Sequence, residues 1–128
     1  MKILLVGGAY QSKLAYAMKE YKISRDQIAD GASPFFPGDW NKPCINNLHL
    51  LVRRLLEQGQ TPLDEVLPRL EQRQDWLVIC DEIGCGIVPA DAFSRRWREA
   101  VGRLCCALAQ SADVVERVTL GLPQRIKG

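Results

Sequence analysis

The sequence lacks the side chains from which metal centres and disulfide frameworks are built. Its 128 residues include one histidine and five cysteines, and no two cysteines are spaced as C-x-x-C. This argues against a structural zinc site and against a disulfide scaffold. Reduced thiols are expected, and the adjacent pair Cys105-Cys106, inside a helical pattern, is interpreted as two small buried hydrophobes.

A large net charge and long apolar runs are also lacking. The formal net charge is +2, from 17 basic and 15 acidic residues, whereas a dedicated nucleic-acid binder shows a concentrated basic surface. No apolar run approaches the roughly 20 residues of a transmembrane helix. The first run, residues 3–6, is too short for the core of a signal peptide. We therefore expect a cytoplasmic protein that binds neither nucleic acid nor a membrane.

The sequence does contain alternating strand and helix patterns. Short apolar runs predict buried strands, and apolar residues spaced three and four apart predict helices. Strands are predicted over residues 3–6, 28–29, 76–80 and 114–120, and the last of them is expected nearer a sheet edge. Helices are predicted over residues 13–21, 45–56, 62–70 and 89–108. Pro68 would kink the third helix or end it early. This order predicts one α/β domain over residues 1–128, with a mainly parallel sheet and helices on both faces.

The turn between the first strand and the first helix is a candidate phosphate-binding loop. It reads G-G-A-Y-Q-S-K-L, against the Walker A pattern G-x-x-x-x-G-K-[ST]. Glycines let backbone N–H groups point at an anion, the helix start adds its positive dipole end, and Lys13 would reach the outer phosphates. The residues predicted to bind phosphate are Gly7, Gly8, Ala9, Tyr10, Gln11, Ser12, Lys13 and Leu14.

Two positions of this loop depart from the pattern. Ser12 replaces the second glycine, and its simpler role is to cap the helix. Leu14 replaces the hydroxyl that would hold magnesium. Taken alone, the stretch slightly favours an ordinary strand–helix turn with a solvent-exposed Lys13.

Acidic side chains follow two of the predicted strands. Asp81 and Glu82 come directly after one apolar run, and Asp30 follows a shorter one. Ligands of parallel α/β sheets bind outside the carboxyl ends of strands, where a kinase needs carboxylates to hold Mg²⁺ and to orient the attacking hydroxyl. Lys13, Asp81 and Glu82 are the predicted catalytic residues, and Asp30 and Asp81 the predicted Mg²⁺ ligands. The alternative is that these carboxylates cap a helix or pair with an arginine.

His49 and three aromatic residues each admit two interpretations. His49 could accept a phosphoryl or nucleotidyl group, but we favour a structural or partly exposed histidine, the commoner case inside a leucine-rich amphipathic helix. Phe35, Phe36 and Trp40 lie in a segment rich in proline and glycine. They are interpreted equally well as a hydrophobic lid on the core or as a wall of a ligand pocket.

Several motifs in the last third of the sequence belong together. Residues 81–89 read D-E-I-G-C-G-I-V-P, 93–103 read F-S-R-R-W-R-E-A-V-G-R, 109–114 read A-Q-S-A-D-V and 121–127 read G-L-P-Q-R-I-K. They resemble N-E-V-G-x-G-I-V-P, A-R-x-F-R-D-x-x-G-R, A-x-x-A-D-x-V and G-x-P-x-x-I-K of the adenosylcobinamide kinase / adenosylcobinamide-phosphate guanylyltransferase family. The candidate phosphate loop is similar to the family's G-G-x-R-S-G-K-S.

The resemblance implies a P-loop fold, ATP or GTP as a substrate, and a corrinoid, adenosylcobinamide, whose hydroxyl is phosphorylated in cobalamin biosynthesis. By position, Lys13 would contact phosphates and Glu82 matches the signature glutamate, while Tyr10 replaces a loop arginine and Cys105 an asparagine. Family members then transfer GMP through a guanylated histidine. The segment that carries it has no counterpart here and His49 does not match it by position, so we predict no covalent guanylylation.

Three functions remain open on the sequence. The first is a shortened adenosylcobinamide kinase that uses ATP or GTP, which we favour. The second is a catalytically degenerate relative that binds a nucleotide or a corrinoid without turnover. The third is a structural partner that forms a homo-oligomer through the long C-terminal helix.

Overall fold

A single mixed sheet forms the centre of the computed structural model, which describes residues 1–83 and 91–128. Its strands in this part of the chain are β1 (Lys2–Gly7), β2 (Ile28–Asp30), β3 (Cys44–Asn46), β4 (Trp76–Asp81), β5 (Val114–Thr119) and β6 (Leu122–Lys127). Their spatial order is β2-β3-β4-β1-β5-β6. The first five strands are parallel to one another, and β6 is antiparallel to β5.

Helices cover both faces of the sheet. Those in the described residues are α1 (Lys13–Glu20), α2 (Leu48–Glu57), α3 (Pro62–Glu71) and α4 (Ala92–Ser111), with short 3-10 turns at Arg25–Gln27 and Pro37–Asn41. On one face, Leu5 and Ile79 pack towards α1, and on the other, Leu4 and Cys80 pack towards α2, α3 and α4. Central strands buried on both faces account for the continuous apolar runs. The predicted three-layer α/β fold is confirmed.

One predicted helix began too early. Ile45 lies in β3, between β2 and β4, and is 1% exposed. Helix α2 begins at Leu48, after Asn47 takes a left-handed conformation with φ of 56°. The prediction was wrong because a three-residue strand is too short to show its own period, and Ile45 continues the helical spacing of the residues after it.

The strand predicted nearer a sheet edge, β5, is next to an edge strand that the sequence did not predict. β5 lies inside the sheet, with Val115 and Val118 buried, and the edge at that side is β6. Leu120 and Gly121 both have positive φ, 54° and 76°, as in the two-residue turns that join antiparallel strands. β6 was missed because every one of its residues is exposed, so it carries no apolar run.

Three smaller expectations have mixed outcomes. Pro68 lies inside α3 and does not end it, because the helix continues to Glu71. Cys105 is half-buried as a small hydrophobe, but Cys106 is exposed, so that interpretation is wrong for Cys106. The predicted helix start at Pro89 lies outside the described residues, and the first described cap of α4 is Asp91, which accepts the N–H of Ser94 at 2.7 Å.

Phe35 and Trp40 form a lid on the core of α2 and α3. Their rings meet edge to face with centroids 5.0 Å apart, and the Arg69 guanidinium lies 4.8 Å from the Trp40 ring centroid. Phe36 is instead exposed. None of the described helices is both long enough and apolar enough to cross a bilayer.

Candidate functional site

The loop between β1 and α1 is held in shape by the turn between β5 and β6. A Cβ at Gly7 would overlap the carbonyl oxygen of Val118, so only glycine lets these backbones approach so closely. The side-chain oxygen of Gln11 accepts the N–H of Leu120 at 2.7 Å, and its carbonyl accepts the N–H of Gly121 at 3.0 Å. Sequence analysis gave Gln11 no such role, because its partners lie about a hundred residues away.

Two non-glycine residues of this loop are in the left-handed region. Tyr10 has φ of 61° and Ser12 has φ of 65°, which costs an ordinary L-residue about 1 kcal/mol. The backbone therefore takes a glycine-like conformation at Ser12, where the Walker A pattern has glycine. Ser12 makes no side-chain cap hydrogen bond to α1, so the capping interpretation is wrong.

Lys13 is buried at the start of α1, with 7% of its surface exposed. Its Nζ donates to the carbonyl of Gly8 at 2.7 Å and lies 2.6 Å from Oδ1 of Asp81. The alternative of a solvent-exposed lysine is therefore wrong. These contacts pair the buried ammonium at its tip, since an unpaired one would be expensive to desolvate.

Asp81 connects Lys13 to His49. The N–H of Asp81 donates to Nδ1 of His49 at 3.1 Å, and Nε2 of His49 lies 3.3 Å from Oδ2 of Asp81. His49 is 6% exposed. Burial lowers the pKa of His49, the Asp81 charge opposes that shift, and the Lys13 charge adds to it. A ring nitrogen that accepts a hydrogen bond carries no proton, so neutral His49 has its proton on Nε2.

The interpretation of His49 as a structural residue thus needs extending. It is buried within a leucine-rich helix, as expected, but both ring nitrogens face Asp81. Trp97 of α4 fixes the first turn of this helix, because its Nε1 donates to the carbonyl of His49 at 2.7 Å. The local pattern around His49 could not reveal these contacts, because Asp81 is 32 positions and Trp97 is 48 positions further along the chain.

A cavity of about 370 Å³ opens beside these residues. It lies at the carboxyl ends of the parallel strands, where ligands of such sheets bind. Lys13 is the first residue of α1, Leu48 is the first of α2, and residues of both opening turns line the cavity. The positive groups at this cavity are two helix N-termini and the Lys13 ammonium, which is paired with the Asp81 carboxylate.

A protein-family model matches most of the chain. A model described as cobinamide kinase / cobinamide phosphate guanyltransferase matches residues 43–126, about two thirds of the chain. The chain belongs to this family. No curated protein sequence matches it. The family places the chain among kinases and transferases of cobalamin biosynthesis that use nucleoside triphosphates and cobinamide, and it confirms the resemblance stated above.

The matched range divides the site. His49 and Asp81 fall inside residues 43–126, whereas the loop from Gly7 to Lys13 precedes them. The contact between Lys13 and Asp81 connects the loop to the matched range.

Glu82 lies apart from this cavity. Its Oε1 accepts the Nε–H of Arg117 at 2.6 Å, and its N–H donates to the carbonyl of Gly7 at 2.8 Å. Glu82 lines a second cavity of about 400 Å³, between the sheet and α4, which Asp81 also borders. The structure brings together Lys13 and Asp81 of the predicted catalytic set, with His49 added.

Asp30 is two strands away from Asp81 in the sheet. Its Oδ1 accepts the N–H of Ala32 and the side-chain N–H of Asn47, each at 2.9 Å. These bonds shape the loop after β2 and join it to the start of α2. The other predicted Mg²⁺ ligand, Asp81, is the one that lines the cavity.

The fit of Mg²⁺ to this site can be judged from its donors. Within residues 1–83 and 91–128, no three His, Cys, Asp or Glu side chains cluster as metal ligands. Mg²⁺ with a nucleotide usually takes one or two protein carboxylates, phosphate oxygens and waters. Asp81 can supply one carboxylate and Leu14 supplies nothing, so the site fits an ion held mainly by phosphates and water.

Proposed function

We propose that residues 1–128 form one nucleotide-binding domain that transfers the terminal phosphoryl group of ATP or GTP to the hydroxyl of adenosylcobinamide. The observation that carries this proposal is the buried Lys13, held between Gly8 and Asp81 at the start of α1. Family membership supplies the acceptor class. Residues Gly7 to Leu14 would enclose the phosphates.

Binding would exchange one anionic partner of Lys13 for another. In the free protein the ammonium contacts the Asp81 carboxylate. A nucleotide phosphate at the loop would receive the ammonium together with backbone N–H groups of the loop, since charge-assisted hydrogen bonds to phosphate are the stronger kind. Asp81 would then be available at the cavity wall to align the attacking hydroxyl or to hold Mg²⁺, which neutralises phosphate charge when bound.

The second candidate function is nucleotide binding without turnover. Leu14 favours it, because the residue after Lys13 offers no hydroxyl to the metal and its side chain packs on the core below α1. A site with one carboxylate and no such hydroxyl would bind phosphates better than it positions them for transfer. The two candidates differ in product formation alone.

Titration calorimetry with ATP and GTP, with and without Mg²⁺, tests the shared binding step. We expect Lys13→Ala to weaken binding by about 1.5–3 kcal/mol, the scale of a lost hydrogen bond to a charged group. Lys19→Ala is the matched control, because Lys19 is an exposed lysine on the same helix. No binding of either nucleotide to the folded protein, or equal losses in the two variants, would reject the loop as the nucleotide site.

Phosphoryl transfer to cobinamide, followed with γ-labelled nucleotide, separates the two candidates. An active kinase should lose transfer in Asp81→Asn, and Leu14→Ser should raise it by restoring a hydroxyl beside Lys13. Glu82→Gln and Asp30→Asn test the remaining predicted carboxylates. We expect a larger loss for Glu82→Gln, because Glu82 directly follows Asp81 whereas Asp30 lies two strands away. Nucleotide binding with no transfer in any variant would favour the binding module.

A further inference from the structure

The Asp81 carboxylate contacts two different side chains. Oδ1 contacts the Lys13 ammonium at 2.6 Å, while Oδ2 lies 3.3 Å from Nε2 of His49. The backbone of Asp81 is held separately, through its N–H to Nδ1 of His49. One imidazole therefore contacts Asp81 at a backbone atom and at a carboxylate oxygen.

We expect a bound nucleotide to affect the Lys13 contact and the His49 contacts of Asp81 differently. Lys13 must turn towards phosphate oxygens if the loop binds them, and its contact with Asp81 then weakens. His49 is buried and makes its contacts from the first turn of α2, which the Trp97 indole fixes from α4. The His49 contacts therefore persist when Lys13 moves.

We propose that His49 is a positioning residue for phosphoryl transfer, which keeps the Asp81 carboxylate aligned at the cavity wall after Lys13 engages the phosphates. The inference rests on the proposed function. It gives the two ring nitrogens separate tasks. Nδ1 stabilises the end of β4 through the Asp81 backbone, and the Nε2 side orients the carboxylate.

Two amide substitutions separate these tasks. In His49→Asn, the amide oxygen falls near the place of Nδ1 and can still accept the Asp81 N–H. In His49→Gln, the longer side chain brings its amide N–H near the place of Nε2 and Oδ2. We expect His49→Asn to be the more stable variant and His49→Gln to be the more active one. The measurements are urea unfolding, and kcat and KM for transfer from ATP to cobinamide.

The expected loss of kcat in His49→Asn is about 10- to 100-fold, the scale for a misplaced catalytic group, with KM for ATP near that of the wild type. Tyr16→Phe is the control for a stability change alone, because Tyr16 donates to Glu116 and neither residue lines the cavity. If His49 has a purely structural role, kcat follows stability and is higher in His49→Asn than in His49→Gln. That result would overturn the inference.

The same measurements separate the positioning role of His49 from the proposed kinase function. If the wild-type chain transfers phosphate and both His49 variants do so with the same kcat, the positioning role is wrong and the proposed kinase function stands. A wild-type chain that binds ATP but transfers nothing overturns the kinase, and the positioning role with it.

Discussion

Ser12 occupies a conformation that glycine adopts more readily. Its φ of 65° is left-handed, and it makes no side-chain cap bond that would offset this. Ser12→Gly should therefore raise the free energy of unfolding by roughly 0.5–1 kcal/mol, because glycine relieves the left-handed strain at some cost in chain entropy. Urea unfolding measures it.

The control for Ser12→Gly is the same substitution within a helix. Ser111 is the last residue of α4, and glycine there should lower stability, because helices disfavour it by up to about 1 kcal/mol relative to alanine. If both substitutions lower the free energy of unfolding by the same amount, glycine does not relieve backbone strain at position 12 and the prediction is wrong.

His49 is poorly placed to form a covalent nucleotidyl intermediate. One ring nitrogen accepts the Asp81 N–H, and the other carries the proton next to the Asp81 carboxylate. Neither offers a free lone pair to a phosphorus atom. We expect no GMP-sized mass increase after incubation with GTP and Mg²⁺, by intact-mass spectrometry. An adduct that is absent from His49→Asn would contradict this arrangement.

At the scale of elements, a buried carboxylate joins α1, β5 and β6. Glu116 is 3% exposed and accepts the hydroxyl of Tyr16 at 3.0 Å, the hydroxyl of Tyr21, and the Nε–H of Arg125 at 3.4 Å. Glu116→Gln replaces one accepting oxygen by a donor and removes the charge that pairs with Arg125.

We expect Glu116→Gln to lower the free energy of unfolding by about 1–3 kcal/mol, the cost of leaving buried polar groups without partners. Glu20→Gln is the control, since Glu20 is an exposed glutamate at the end of α1. Denaturant melts of the two variants decide the matter. Equal stability of both would mean that the phenols find water or other partners when Glu116 is replaced.

The sequence predicted the elements whose local pattern matches their final environment. β1, the glycine turn and α1 follow directly from an apolar run, Gly7-Gly8 and helical spacing. β6 escaped prediction because its stability comes from pairing with β5, and its sole local signal is Leu120-Gly121 between two polar stretches. The Lys13–Asp81–His49 cluster escaped for a related reason. Asp81 and Lys13 were predicted separately, but the contacts with His49 depend on how β4 and α2 pack.

At the scale of the whole molecule, stability should depend on pH at both extremes. Burial lowers the pKa of His49 below 6.5 in the folded state. The unfolded chain then binds a proton that the folded chain resists, so stability present above about pH 6.5 is lost as the pH falls through the folded pKa. Burial and Glu116 raise the pKa of Tyr21 and Tyr16 above 10.0, so stability present below pH 10 is lost as the pH rises beyond it.

Unfolding by urea at a series of pH values tests both limbs. His49→Asn should flatten the fall in stability below pH 6.5 without changing the alkaline limb. Tyr21→Phe should flatten the alkaline limb without changing the acid one. A variant that shifts the whole curve evenly would show that its residue contributes packing and no linked proton.

The position of β1 has a consequence for how the protein is made. β1 is synthesised before the other strands of this sheet, and its two neighbours, β4 and β5, follow some 70 and 110 residues later. The bonds that fix Gln11 come from the turn between β5 and β6. A nascent chain that has only reached α4 therefore contains every residue of the candidate phosphate-binding loop but not the partners of Gln11, which lie in the β5–β6 turn. Ligand binding during synthesis should begin only once the β5–β6 hairpin has emerged.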